Sequence, residues 1–187
     1  PELSQITRTE GNAGYSSDNV SHVPFDNDQT RFHELVHLVA YRLPKAGDET
    51  RNLFFAEGLA NALLEFVDGV HVHAVAAFER KRGKLPGLQE MTGAADFYGW
   101  LRAHPGMPVY DVAASWFRFL IEAQGMERVK RYYAGLPAAE AFGASPAELE
   151  KKWHARLDGY ALRPEVETLL RRRRGEPAKF TVLEMDP

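Results

Sequence analysis

Residues Asn27 to Pro44 read N-D-Q-T-R-F-H-E-L-V-H-L-V-A-Y-R-L-P. Asn27-Asp28 is a helix N-cap signal, and apolar residues then recur at Phe32, Leu35, Val36, Val39 and Leu43, the spacing of one helix face. Pro44 stops the helix. Within it, His33-Glu34-Leu35-Val36-His37 is H-E-x-x-H. Residues four apart on a helix are neighbours, with Cβ atoms about 5–6 Å apart. Two imidazoles so placed reach one Zn²⁺ at about 2.0–2.1 Å. Glu34 stands roughly 100° around the helix from His33. It therefore points beside the ion rather than at it, where a general base for a water molecule belongs.

Two histidines leave a catalytic zinc one protein ligand short, because such sites hold three ligands plus water. Glu57 fits the gap. It lies on a second helical pattern, Leu53 to Phe66, whose apolar side carries Phe55, Leu59, Ala62, Leu63 and Phe66. The polar connection Lys45 to Thr50 lets that helix fold back on the first. Asn61 follows Glu57 by four and shares its face. It is placed to accept the ring N–H of His33 and fix the tautomer, as partners of metal-bound histidines do.

The rest of the chain is mostly helical in pattern. Ahead of the motif, Tyr15 to Phe25 suggests one irregular strand or hairpin in a polar opening. Asp68-Gly69 ends the second helix, and Val70 to Lys81 is either a third helix or a Val-His-Val-His strand at its start. Short amphipathic pieces follow at Leu88 to Met91 and Ala94 to Arg102, then a break at His104-Pro105-Gly106. Longer helices are expected from Val109 to Ala123 and from Met126 to Ala134, with a short turn from Pro137 to Phe142. Ser145-Pro146-Ala147-Glu148 is a capping box opening a helix to Leu157. A last amphipathic piece, Pro164 to Arg171, runs into Arg171 to Arg174. The fold class expected is α+β, predominantly α-helical, with a minimal N-terminal β element. One domain is expected: a strand or arm over 1–27, a catalytic core over 28–160, and a C-terminal helix and tail over 161–187.

Composition narrows the chemistry. The 187 residues carry 23 Lys plus Arg against 26 Asp plus Glu, a net charge of −3. Such a balance argues against a general nucleic-acid binder. The absence of cysteine excludes disulfide scaffolds, thiol catalysis and thiolate metal sites. No apolar run approaches a membrane span. The numbering starts at Pro1 rather than Met, which leaves room for a signal or anchor upstream.

The H-E-L-V-H stretch, followed by Glu57 in E-G-L-A, resembles the gluzincin zinc metallopeptidases, the thermolysin-like, peptidase MA-like superfamily. Weaker likeness continues through Leu85 to Met91, Tyr110 to Ile121, Gly125 to Val129, Ala141 to Gly143 and Pro146 to Trp153, so that it covers about His22 to Leu157. The resemblance implies a zincin core holding one zinc on His33, His37 and Glu57, with Glu34 as base and acid in peptide-bond hydrolysis. The substrate would be a peptide or protein. It also implies that Tyr110 opens a helix near the metal, making it the first candidate donor to the oxyanion, with His104 second. An extracytoplasmic or secreted location is the family's pointer, and nothing indicates an oligomeric state. Two departures stand out. Members have a substantial sheet before the motif helix, whereas 32 residues precede His33 here. Asn61 replaces the usual Asp after the ligand Glu; it accepts a hydrogen bond but supplies no charge.

Other residues admit plainer roles. His71 and His73 would line the cleft, bind a second metal or, more commonly, sit half-exposed. Trp100, Trp116 and Trp153 read as core or core-edge aromatics. Arg171 to Arg174 reads as a solvated helix end rather than an acidic-partner site. His22 and His154 carry no readable role. The strand near Tyr15 to Phe25 is a candidate edge for pairing with an extended peptide. The rivals to a peptidase are a non-catalytic, peptidase-like module that holds zinc and a zinc hydrolase of a non-peptide amide.

Overall fold

The structure is a computed structural model that describes residues 15–17, 20–22, 28–43, 53–93 and 97–176. Several sequence readings fall outside these residues: the first residues of the polar opening, the Val23 to Phe25 end of the expected strand, the Asn27 N-cap, the Pro44 helix stop, the Lys45 to Thr50 connection and the tail beyond 176. Two short strands, β1 (Tyr15–Ser17) and β2 (Val20–His22), pair antiparallel as a hairpin ahead of the motif helix. The motif helix is α1 (Asp28–Tyr41) and the Glu57 helix is α2 (Leu53–Leu64).

The second helix ends two residues earlier than its pattern suggests. Glu65 takes a positive φ of 68°, and the chain enters a second hairpin, β3 (Phe66–Val67) with β4 (Val70–His71). Its two-residue loop is Asp68-Gly69, both at positive φ, the conformation that matches the twist of a tight hairpin. The Val-His-Val-His stretch is thus divided: its first half closes the hairpin and its second opens α3 (Val72–Lys81). His71 caps that helix, its Nδ1 accepting from the His73 backbone N–H at 3.1 Å.

The chain continues through α4 (Leu88–Thr92), α5 (Phe97–Ala103), α6 (Val109–Gln124), α7 (Met126–Tyr133), α8 (Ala138–Phe142), α9 (Pro146–Asp158) and α10 (Pro164–Arg173). The capping box forms as its spacing predicts: Ser145 Oγ accepts from the Glu148 N–H, and Glu148 accepts from the Ser145 N–H at 2.8 Å. Among the described residues the architecture is predominantly helical, with two two-stranded ribbons and no helix long and apolar enough to cross a membrane.

The core is built where α2 meets α6. Phe54, Leu59, Ala60 and Ala62 pack with Val112, Ala113, Trp116, Phe117 and Leu120. Trp153 and Leu149 of α9 close the same core, so Trp116 and Trp153 are fully buried. A smaller apolar cluster, Val75 and Phe78 with Leu170, fastens α10 onto α3. The helices α2 and α6 approach closely because of Gly58. A Cβ there would lie 2.7 Å from Phe117 and 3.0 Å from Ala113. That contact seats the residue next to Glu57 against the buried core at Ala113 and Phe117.

The motif helix departs from its apolar pattern. Val36 and Ala40 are buried, but Phe32, Leu35 and Val39 are 45%, 52% and 57% exposed. Phe32, Leu35 and Val39 lie on the face of the helix away from the two histidines, while Val36, at the edge of the stripe, turns inward. The inward face is the one bearing His33, His37, Val36 and Ala40, because it packs on α2.

Candidate metal centre

His33 and His37 stand one turn apart on α1, as their spacing requires, and Glu57 rises from the facing helix α2. His33 Nε2 lies 3.0 Å from His37 Nε2 and 3.1 Å from Glu57 Oε2. His37 Nε2 lies 3.5 Å from Glu57 Oε1. The two rings meet edge to face, their planes at 85°. Among the described residues this is the only group of three His or carboxylate side chains whose ligand atoms converge closely enough to hold an ion.

The donor set fits zinc. Two atoms each bonded at about 2.0–2.1 Å to a tetrahedral ion sit about 3.3 Å apart, the middle of the separations seen here. The tautomer also fits. Asn61 Oδ1, which only accepts, lies 2.7 Å from His33 Nδ1. That ring nitrogen therefore donates, and the Nε2 lone pair faces His37 and Glu57. Asn61 is buried, at 7% exposure, so the hydrogen bond is shielded from water. The His33, His37 and Glu57 side chains are 16%, 19% and 18% exposed, so solvent reaches each of them.

The electrostatics favour positive charge at this point. Burial depresses the His33 imidazole, but the hydrogen bond and charge of Glu57, with help from Asn61 and Glu34, outweigh it and raise the group above its ordinary value. Burial lowers His37, and the neighbouring His33 works in the same direction against Glu57 and Glu34. Two imidazole nitrogens this close accept one cation between them, a proton or a metal. Glu34 is buried at 6% exposure, and its carboxylate acts on both rings. It is thus close to the pair without belonging to the converging set.

The remaining sequence candidates have the following settings. Tyr110 stands in the first turn of α6 and is 37% exposed. His104 stacks on Trp100 with centroids 4.0 Å apart. Its Nδ1–H donates to the Trp100 carbonyl at 2.8 Å, which makes it part of a turn. The second-metal reading of His71 and His73 does not hold among the described residues. His71 spends Nδ1 on the helix cap. His73 is not half-exposed either; it is 1% exposed, with Nδ1 2.8 Å from Ser115 Oγ, which also accepts from Trp153 Nε1 at 3.1 Å. Burial holds the His73 imidazole down to about 4, despite Glu122. Gly58 is the residue that sequence reasoning passed over; its one visible signal was a glycine inside an otherwise strong helix.

Compared with models of known protein families, with curated proteins and with solved structures, the chain matches none.

Proposed function

We propose that this chain is a zinc-dependent metallopeptidase, with α1 and α2 as the paired helices of a thermolysin-like core. The supporting observation is the convergence of His33, His37 and Glu57 from two helices within 3.0–3.5 Å, with the His33 tautomer set by Asn61. Three candidate ligands, each reached by solvent, match a catalytic zinc site rather than a structural one, which closes with four.

A zinc ion at this centre supplies Lewis acidity, activating a water and polarising a carbonyl. The chain's own groups do the rest. His33, His37 and Glu57 hold the ion's place. Asn61 keeps the His33 lone pair aimed inward. Glu34 takes the proton of the attacking water and hands it to the leaving nitrogen. Tyr110 is the candidate donor to the carbonyl oxygen as it gains charge. This last role rests on the family resemblance. The hairpin of β1 and β2 offers an edge to which an extended peptide substrate pairs.

Glu34→Gln tests the assignment. The variant should bind zinc as the wild type does and lose cleavage of a mixed peptide library by about 10²–10⁴-fold. Cleavage at the wild-type rate removes Glu34 from the mechanism. Wild-type protein that carries zinc but shows no chelator-sensitive cleavage is a binding module or a hydrolase of another amide.

A further inference from the structure

A second concave site lies away from the three ligands, between the C-terminal end of α3, the loop at residues 104–107 and the C-terminal end of α10. It is a cleft of about 390 Å³ lined by Arg82, Lys84, Arg173 and Arg174, with Glu79 and Gly106 among the other lining residues. Four cationic side chains from two chain segments thus share one cleft with one lining carboxylate.

That carboxylate organises the site. Glu79 is 2% exposed, and both its oxygens are engaged: Arg82 Nη1 donates to one at 2.9 Å and Arg174 Nε to the other at 2.9 Å. Arg82 also pairs with Glu176, and Arg174 donates to the Gly106 carbonyl. These bonds latch α10 to α3 and fix two guanidinium groups in place. They leave Arg82 Nε and Arg174 Nη2 without a partner among the described residues.

The other two cations are not part of the latch. Arg173 donates one bond, to the Asp68 carbonyl at 3.2 Å, and has no carboxylate partner among the described residues. Lys84 is exposed and has none either. Asp111 on α6 feels the charges of both Arg173 and Arg174. The cleft therefore presents unused N–H groups from four cationic side chains. A carboxylate has two oxygens to offer them, and a phosphoryl group has three. The volume exceeds that of a bare phosphate several-fold, so the group that fits carries a body.

We propose that this cleft binds a phosphate monoester, its phosphoryl oxygens held by Lys84, Arg173 and the free guanidinium edges of Arg82 and Arg174. The proposal is independent of the metal centre. Calorimetric titration of the full chain with phenyl phosphate and with inorganic phosphate, at ionic strength held constant with NaCl, tests it. Saturable binding is expected, tighter for phenyl phosphate. Lys84→Gln/Arg173→Gln should weaken it by at least roughly tenfold while the ligand-free protein keeps its helical circular dichroism, because neither side chain pairs with Glu79 and Arg173 gives up only its bond to the Asp68 carbonyl. The single Lys84→Gln should weaken it in the same direction. His37→Ala should bind phenyl phosphate as the wild type does, which separates this site from any phosphate held by a metal. Absence of saturable binding, or equal affinity in the double variant, overturns the proposal. Equal affinity for the two probes overturns the assignment to a monoester.

Discussion

Replacing Asn61 by Leu tests whether the orientation of His33 is imposed by its partner. In the wild type, Asn61 Oδ1 accepts the His33 Nδ1–H at 2.7 Å in a setting where Asn61 is 7% exposed. Leucine is of similar size but accepts nothing, so the imidazole N–H loses its partner. A buried donor left without one costs about 1–3 kcal/mol. The ring regains hydration by turning, and the Nε2 lone pair then leaves the line to His37 and Glu57. Loss of such a partner costs about 10–100-fold in metal affinity. The assay is zinc competition against a chromophoric chelator, comparing wild type, Asn61→Leu and Asn61→Asp. Zinc affinity should fall by that factor in Asn61→Leu. It should hold or rise in Asn61→Asp, which accepts the same bond and adds negative charge. Unfolding of the metal-free proteins checks that the fold persists. Wild-type zinc affinity in Asn61→Leu would refute the idea that this hydrogen bond sets the ligand geometry.

Gly58→Ala should destabilise the protein by about 1–3 kcal/mol, since the new methyl meets Phe117 at 2.7 Å; denaturant unfolding reads it, and a neutral result removes the close helix approach as a constraint. His73, held down to about 4 by burial, is neutral in the folded protein and takes a proton below about 6.5 when unfolded. Its contribution is therefore present above pH 6.5 and lost as pH falls toward 4, about 3 kcal/mol in all. Melting temperatures from pH 7 to 4.5 should fall more steeply for wild type than for His73→Leu, and parallel curves contradict this.

The site was legible in the sequence to the extent that it is local. H-E-x-x-H needs only helical spacing to bring His33 and His37 together, and Glu57 with Asn61 repeats that spacing on the next helix. Their convergence depends on how α1 and α2 pack, and the seating of α2 itself rests on the Gly58 contacts with α6, which no local pattern displays. The exposure of Phe32, Leu35 and Val39 was not legible either. An apolar stripe marks the core face of most helices, but here the ligand face takes that position. The β3–β4 hairpin had a signal that went unused: Asp68-Gly69 between apolar pairs is a hairpin turn as well as a helix stop. The burial of His73 against Ser115 and the bond from Arg174 to Glu79 join residues far apart in the chain, beyond the reach of spacing rules.

Elemental analysis of the protein after zinc loading and exhaustive desalting bears most directly on whether His33, His37 and Glu57 form a metal centre. One zinc per chain is predicted for the wild type, with His37→Ala retaining almost none. A wild-type protein without zinc, or a His37→Ala protein with the same content, contradicts it.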